Sequence, residues 1–263
     1  MTASCPAEYI AIAETLADAA RPIAQRYFRA GIPIEAKADD SPVTRADREI
    51  ETALREILAD TCPDHSVVGE EMGGVPDGDG PLWVLDPIDG TKAFVTGMPV
   101  FGTLIALAIE SRFVLGVIDQ PISGERWLGA AGRTTEFNGI NSHVSGCDTL
   151  AAARLFTTSP EYYGRAGLLD AFDRLRQQVL ITRYGADCYA FGLLASGHAD
   201  IVVEADMNLW DYAALVPVVE GAGGVMTDWQ GNPLRAEGNA HVIASAAADL
   251  HAEALRCLNT ENC

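Results

Sequence analysis

From residue 148 onward the chain alternates short apolar runs with segments of helical periodicity, and this alternation constrains the fold most strongly. β-Branched and aromatic residues concentrate in four predicted strands, RLFTTS, VLITRYG, ADIVVEAD and AHVIASA. The predicted helices are RAGLLDAFDRLRQQ, ADCYAFGLLASG, LWDYAALVPVVEGAGG and residues 247–258. Strands alternating with helices are typical of an α/β architecture. Pro217 should bend its helix, because proline lacks the backbone N–H.

The part of the chain before residue 148 has a different texture. An amphipathic helix is predicted over residues 7–29, and a second helix begins after Thr44, a natural N-cap residue. Strands are predicted at SVVG, PLWVLD and GERWLGAAGR, and at two runs that turn around Glu110–Arg112. The change of texture near 140–150 predicts two lobes, 1–145 and 146–263, that share a cleft.

Composition limits the class of protein and its partners. With 263 residues, 48% of them apolar, the chain can bury a large core. The formal net charge of −19 argues against binding to the backbone of nucleic acid, which requires a surface of Lys and Arg. Such acidity does not exclude a phosphorylated substrate, because an acidic protein can bind anions if cations intervene.

Cysteine use and the N-terminal segment predict where the protein works. None of the six cysteines forms a C-x-x-C pair, so neither a zinc site nor a disulfide framework is expected, and we predict reduced thiols. The first residues have helical spacing in place of an export signal, and no stretch approaches the ~20 apolar residues of a membrane span. We therefore expect a soluble, cytoplasmic protein without a membrane partner.

Acidic residues stand at the ends of several predicted elements, where functional side chains are commonly found. Taken singly, each has an ordinary explanation as a helix-capping acid, a loop residue or a turn residue. The acidic residues concerned are Asp47, Glu70, Glu71, Asp86, Asp89 and Asp211.

If these carboxylates converge, their mutual repulsion requires protons or cations. Oxygen ligands without His or Cys favour Mg²⁺, Mn²⁺ or Ca²⁺ over zinc, and paired Mg²⁺ ions serve in the hydrolysis of phosphate esters. Asp86 and Asp89, separated by the rigid Pro87, are placed to serve adjacent ions. Gly90 and Thr91 follow directly, and their backbone amides could bind phosphate.

Three segments resemble the signature motifs of the inositol monophosphatase family: GEE (69–71), DPIDGT (86–91) and WDYAALVPVVEGAGG (210–224). SPVTRADREIE (41–51) is similar to the family's segment around its second helix, and the resemblance covers nearly the whole chain. It implies a layered α-β-α-β-α sandwich, a homodimer, and a Mg²⁺-dependent phosphatase that is often sensitive to lithium.

The resemblance also implies roles for individual residues. Two metal ions would have five oxygen ligands: Glu70, Asp86, the carbonyl of Ile88, Asp89 and Asp211. Asp86 would be shared by both ions, and Glu70 through water, or Asp47, would support a third. Asp47 and Thr91 would orient the nucleophilic water. The amides of Gly90 and Thr91 would bind phosphate, and Lys37 is placed on a mobile loop near the site.

The substrate alcohol is expected to contact the second lobe. Glu204 matches the family's ligand for a substrate hydroxyl, and Asp211, seven residues later, is expected to contact the substrate as well as metal. Asp187 stands where many inositol phosphatases carry a small residue, and an acid there favours a cationic alcohol over a neutral polyol. Asp187 is equally explained as the N-cap of the helix that follows it.

The segment YGADCYAFGLLASGHADIVVEAD is similar to histidinol-phosphatases of this family, so the leading hypothesis is hydrolysis of L-histidinol phosphate, a step of histidine biosynthesis. The alternative is an inositol-1-monophosphatase or a broad-specificity phosphatase. A non-catalytic protein that retains the fold is a third possibility, which would be indicated by lost ligands. All the carboxylates and Thr91 are present.

Overall fold

The computed structural model describes residues 4–30, 35–36, 42–43, 45–74, 80–238 and 240–259. Its α-helices are α1 (Ala7–Tyr27), α2 (Arg45–Thr61), α3 (Thr91–Val95), α4 (Pro160–Ala166), α5 (Leu169–Arg176), α6 (Tyr189–Ala195), α7 (Leu209–Tyr212), α8 (Leu215–Gly221) and α9 (Ala248–Asn259). A short 3-10 helix covers Leu150–Ala152.

The strands form two main sheets and a small pair. They are β1 (Glu35–Ala36), β2 (Pro42–Val43), β3 (Ser66–Gly69), β4 (Leu82–Asp89), β5 (Gly102–Ile109), β6 (Arg112–Gln120), β7 (Glu125–Ala130), β8 (Glu136–Phe137), β9 (Ile140–Asn141), β10 (Arg154–Thr157), β11 (Ile181–Tyr184), β12 (Ile201–Met207), β13 (Val225–Asp228) and β14 (Ala240–Ser245). The larger sheet has the order β3-β4-β5-β6-β7-β8-β9, and the smaller has the order β11-β10-β12-β14-β13.

Three apolar clusters bind these elements into five layers. Side chains that alternate along β4 enter different clusters, because successive residues of a strand point to opposite faces. Trp83 packs with α1 and α2, whereas Val84 packs with α6 and α8. A third cluster joins the smaller sheet to α5 and α9. The order α-β-α-β-α, expected from the resemblance, is confirmed.

Helix α8 lies in the middle layer and contacts both sheets. Gly116 of β6 and Gly129 of β7 are paired directly across the larger sheet, and each faces the backbone of this helix. A Cβ at Gly116 would lie 2.0 Å from the carbonyl oxygen of Ala214, and a Cβ at Gly129 would lie 2.2 Å from that of Pro217. The two glycines therefore allow α8 to approach the sheet closely.

The structure corrects several predicted elements. The single helix predicted over 165–178 is two helices, because the chain turns at Gly167, whose φ is 71°. The helix predicted over 209–224 is also two, and its break at Ala213–Ala214 fits the missing hydrogen bond from Pro217 to the carbonyl four residues earlier. Strands β8, β9 and β13 were not predicted from the sequence.

The remaining predictions concern residues outside the described ranges, the boundary between the lobes, and the cysteines. Thr44 and Lys37 lie outside the described residues, and the division into lobes at residue 145 stays a prediction. Cys257 takes part in a disulfide, so the expectation of six reduced thiols is wrong at this position, since pairing depends on which sulfurs meet in space. The free cysteines are Cys5, Cys62, Cys147 and Cys188. No helix within the described ranges is long and apolar enough to cross a bilayer.

Candidate active site

A cavity of about 530 Å³ lies where the ends of β4 and β12 meet the beginnings of α3, α6 and α7. Its walls therefore come from both sheets and from the layer between them. It is lined by Glu70, Asp86, Ile88, Asp89, Gly90, Thr91, Lys92, Thr158, Tyr162, Arg165, Asp187, Cys188, Phe191, Glu204, Ala205, Asp206, Met207, Asn208 and Asp211.

A β-bulge in β4 brings Asp86 and Asp89 to the same side of the sheet. In a regular strand, residues three apart point to opposite faces. Here Asp86 pairs with Leu104 and Asp89 pairs with Gly102, so β4 contains one extra residue. Pro87 lies within the bulge, where the absence of an N–H is tolerated. The bulge is the local reason why both carboxylates enter one cavity.

Asp86, Asp89 and Asp211 form a cluster that could hold a metal ion, since each offers an oxygen within 4.8 Å of the other two. Asp86 is almost completely buried, and its Oδ1 accepts no hydrogen bond from the described residues. Burial raises the pKa of Asp86 well above its usual range, and nearby negative charges raise it further. An all-oxygen set with a buried, unsatisfied acceptor fits a hard cation such as Mg²⁺.

Backbone contacts hold the other two carboxylates of the cluster in place. Asp89 Oδ2 accepts the N–H of Cys188 at 2.7 Å. Burial raises the pKa of Asp89 well above its usual range, followed by the charges of Asp187 and Asp211. Asp211 Oδ2 accepts the N–H of Asn208 at 2.7 Å in a capping box at the start of α7. Asp211 therefore caps its helix and also lines the cavity, and its part in binding metal stays a prediction.

Glu70 and Asp47 occupy different positions relative to this cluster. Glu70 lines the cavity but lies outside the group of three carboxylates whose oxygens meet within 4.8 Å. Asp47, on α2, is fully buried and is not among the described residues that line the cavity. Its charge still contributes to the raised pKa of Asp86. The predicted part of Asp47 in orienting water stays a prediction.

Gly90 and Thr91 begin α3 at the edge of the cavity. Gly90 has a φ of 87°, a left-handed conformation, and a Cβ there would lie 3.0 Å from the Cβ of Asp187. The hydroxyl of Thr91 donates to the carbonyl of Ile88 at 3.2 Å. The carbonyl expected to bind metal therefore already contacts the hydroxyl expected to orient water, although its second lone pair remains available.

Asp187 faces the cavity but does not cap the following helix. The N-cap position of α6 belongs to Cys188, and no side chain caps the helix, so the N-cap explanation for Asp187 is wrong. Its φ of 44° is left-handed, which is uncommon for a residue other than glycine. Burial raises the pKa of Asp187 to about 6, although Lys92 acts in the opposite direction.

Glu204 also lines the cavity, but its oxygens are already engaged. Oε1 accepts both the N–H of Thr158, at 2.6 Å, and its hydroxyl, at 2.9 Å. Oε2 accepts the hydroxyl of Thr157 at 3.3 Å. Burial raises the pKa of Glu204 to about 8. This glutamate therefore fixes the end of β10, besides any contact it makes with a substrate.

Several residues of the cavity were missed by the sequence analysis. Lys92 donates to the hydroxyl of Tyr162 at 2.8 Å and lies 4.7 Å from the centre of that ring, so it joins α3 to α4. Lys92 directly follows the DPIDGT motif, and this position was the one available signal. Thr158 and Arg165 were not singled out, because their approach depends on packing between distant segments. Asp206 ends the segment that is similar to histidinol-phosphatases, but the sequence analysis assigned it no role.

Known proteins with similar sequences are phosphatases of the inositol monophosphatase family. Residues 6–261 match the model of the inositol monophosphatase family. The chain is 44% identical over 259 residues to "Bifunctional phosphatase IMPL2, chloroplastic" of Arabidopsis thaliana, which covers 95% of this chain and 75% of that protein. It is 37% identical over 237 residues to a histidinol-phosphatase of Chlorobaculum parvum, covering 90% of this chain and 92% of the relative.

Solved structures of inositol monophosphatases have a similar fold. An inositol monophosphatase from Zymomonas mobilis superposes with a TM-score of 0.88 and 47% identity, covering 96% of this chain and 98% of that one. A Thermotoga maritima IMPase superposes with a TM-score of 0.84 and 27% identity, covering 96% of this chain and 97% of that one.

Proposed function

The chain belongs to the inositol monophosphatase family and is a phosphoric monoester hydrolase, and on that premise we propose that it hydrolyses L-histidinol phosphate to L-histidinol and phosphate with the aid of Mg²⁺. The observation that carries the proposal is the composition of one cavity. Acidic side chains suited to metal lie beside further acids, Asp187 and Glu204, which suit a cationic alcohol because its positive charge favours their ionised forms. Histidinol carries an ammonium group and an imidazole.

The residues available for metal binding are those of the buried cluster and its neighbours. We propose that Mg²⁺, as two or three ions, is held by Glu70, Asp86, the carbonyl of Ile88, Asp89 and Asp211. When bound, Mg²⁺ neutralises the charge of the phosphate group and activates water for attack. Its positive charge would also offset the burial and the neighbouring negative charges that together raise the pKa of Asp86 and of Asp89.

The protein's own groups orient the ester. We propose that Gly90 and Thr91 bind the phosphate, since the glycine leaves room for close approach at the start of α3. Thr91, together with Asp47 and Glu70, would act on the attacking water. The water oxygen would bond to phosphorus as the bond between phosphorus and the ester oxygen breaks, and the proton given up by water would end on the ester oxygen. The alcohol would then leave on the side of the cavity lined by Asp187 and Glu204.

An inositol phosphatase, or a phosphatase of broad specificity, is the second candidate. It is favoured by the 47% identity to the Zymomonas mobilis inositol monophosphatase, which exceeds the identity to the Chlorobaculum parvum histidinol-phosphatase. Both candidates use the same proposed metal ligands and differ only in the alcohol.

We also propose a cytoplasmic homodimer. Its lithium sensitivity is an expectation from the family alone.

Phosphate release distinguishes the candidates. Purified protein with Mg²⁺ is expected to cleave L-histidinol phosphate with a higher kcat/KM than inositol 1-phosphate, and to lose activity in EDTA. A clear preference for inositol 1-phosphate would refute histidinol phosphate as the substrate and support the second candidate.

Asp89→Asn tests the proposed metal ligands separately from the choice of substrate. The variant should show a steep rise in the Mg²⁺ concentration needed for activity, and a smaller increase in melting temperature on addition of Mg²⁺, because a charged ligand is lost. Asp60→Asn, on the exposed surface of α2, is the matched control and should behave as the parent protein. Activity and Mg²⁺ response within a few-fold of the parent would show that Asp89 does not bind metal.

A further inference from the structure

A second β-bulge brings Asp206 to the cavity, an aspartate that lies outside the three signature segments. In the smaller sheet, Glu204 of β12 pairs with Val242 and Met207 pairs with Ala240, so β12 contains one extra residue between them. A regular strand would present only alternate residues to one side. Here all the residues from 204 to 208 line the cavity, among them Asp206.

The backbone of Asp206 adopts a conformation that favours glycine. Its φ is 61°, and of the described non-glycine residues with positive φ, only Asp206 and Asp187 line the cavity. The N–H of Asp206 donates to Nδ1 of His241 at 2.9 Å, which holds the bulge against β14. His241 in turn packs against the ring of Trp229 at 5.6 Å between centroids. Neighbouring residues therefore fix the position of this aspartate.

The carboxylate of Asp206 is available, in contrast to that of Glu204. The side chain of Asp206 is exposed, and it makes no hydrogen bond or ion pair with the described residues. Glu204 already accepts three hydrogen bonds from Thr157 and Thr158. The carboxylate of Asp206 could therefore bind a cationic alcohol in the cavity. Asp206 lies two residues after Glu204, the residue expected to bind the alcohol.

We propose that Asp206 is a specificity-determining residue that binds a protonated nitrogen of the substrate alcohol, with Asp187 and Glu204 lining the same cavity. This inference rests on the proposed function and extends it to a residue outside the three signature segments, for which the sequence analysis gave no role. An ammonium or imidazolium group has donors that match an exposed carboxylate, whereas a neutral polyol gains less from the charge. The bulge and His241 position Asp206, and the chemistry at phosphorus does not require it.

Two substitutions at Asp206 test the proposal in the Mg²⁺-loaded enzyme. Asp206→Asn removes the charge and retains a residue that tolerates positive φ, whereas Asp206→Gly removes the side chain and relaxes the backbone. The measured quantity is the ratio of kcat/KM for L-histidinol phosphate to kcat/KM for p-nitrophenyl phosphate, an uncharged-alcohol comparator. We expect this ratio to fall about tenfold or more in both variants, the effect of losing one charge-assisted hydrogen bond.

Binding of the product gives a second readout that does not depend on turnover. The dissociation constant of L-histidinol, measured by calorimetry with Mg²⁺ and phosphate present, should rise by a similar factor in both variants. Asp60→Asn removes the same charge from an exposed surface of α2, away from the cavity-lining residues, and so controls for the long-range attraction of a cation by an acidic protein.

The outcomes separate this inference from the proposed function. A ratio that falls less than threefold in either Asp206 variant, while the parent enzyme prefers L-histidinol phosphate, overturns the inference and leaves the proposed function standing. A fall matched by Asp60→Asn overturns it as well, because the effect is then one of net charge. A parent enzyme that cleaves p-nitrophenyl phosphate but not L-histidinol phosphate overturns both.

Discussion

Gly116→Ala is expected to destabilise the protein by forcing α8 away from the larger sheet. The added Cβ would lie 2.0 Å from the carbonyl oxygen of Ala214 and 2.8 Å from its carbonyl carbon. Both atoms belong to the backbone, so no side-chain rotation relieves the contact. Separation to ordinary van der Waals distance requires a movement of about 1 Å or more in a closely packed layer.

The expected loss combines two opposing effects. Overpacking of a core costs about 1–3 kcal/mol, and a clash with helix backbone belongs at the upper end of that range. Alanine also reduces the conformational entropy of the unfolded chain, which stabilises the folded protein by about 0.4–1 kcal/mol. This gain applies because Gly116 does not have a positive φ. The free energy of unfolding should therefore fall by about 2–2.6 kcal/mol, a large part of the ~5–15 kcal/mol that stabilises a typical domain.

Urea denaturation followed by tryptophan fluorescence measures this loss. Gly80→Ala is the matched control, because its Cβ meets no atom within 4 Å, and its stability should stay within about 0.5 kcal/mol of the parent. Asp211 lies three residues before Ala214, so Gly116→Ala should also raise the Mg²⁺ concentration needed for activity. An unfolding free energy within 1 kcal/mol of the parent would refute the close-packing argument.

Two further predictions concern buried ionisable groups outside the cavity. Burial lowers the pKa of His251 to about 4, from an ordinary value near 6.5, so the unfolded chain takes up a proton first and stability falls as the pH drops from 6.5 towards 4. Between pH 7 and pH 5 the parent should lose about 2 kcal/mol more than His251→Gln in urea denaturation, and equal losses would contradict the assignment. Arg126→Met removes a 2.6 Å hydrogen bond to the fully buried Asp119 and should lower the unfolding free energy by about 1.5–3 kcal/mol. The exposed pair of Arg176 and Asp173 provides the control, Arg176→Met, for which a comparable loss would show that burial is not the cause.

The metal-binding wall could be predicted from sequence because its information is local. Asp86 and Asp89 lie in one short motif, and Pro87 between them indicates an interruption of regular pairing. The positions of α1, α2 and α9 were equally predictable, since each carries several turns of apolar periodicity. Strands of two residues, such as β8 and β9, are too short to have a period and could not be recognised in this way.

The alcohol-binding side depends on contacts between distant segments. The bulge that presents Asp206 is defined by pairing with β14, and His241, which holds it, lies 35 residues further along the chain. The engagement of Glu204 by Thr158 likewise joins residues 46 positions apart. The register of strand pairing and the hydrogen bonds of side chains such as Glu204 depend on tertiary packing, which no local pattern in the sequence specifies.

The close contact of α8 with both sheets has a consequence for turnover. The two walls of the cavity come from different sheets, and parting them would expose residues of the middle layer that are fully buried, among them Leu215, Val218 and Val219. Exposure costs about 1.5–3 kcal/mol for each such side chain. We therefore expect substrate to enter and product to leave without separation of the two sheets. The contact between Lys92 and Tyr162 is one that a departing phosphate could break.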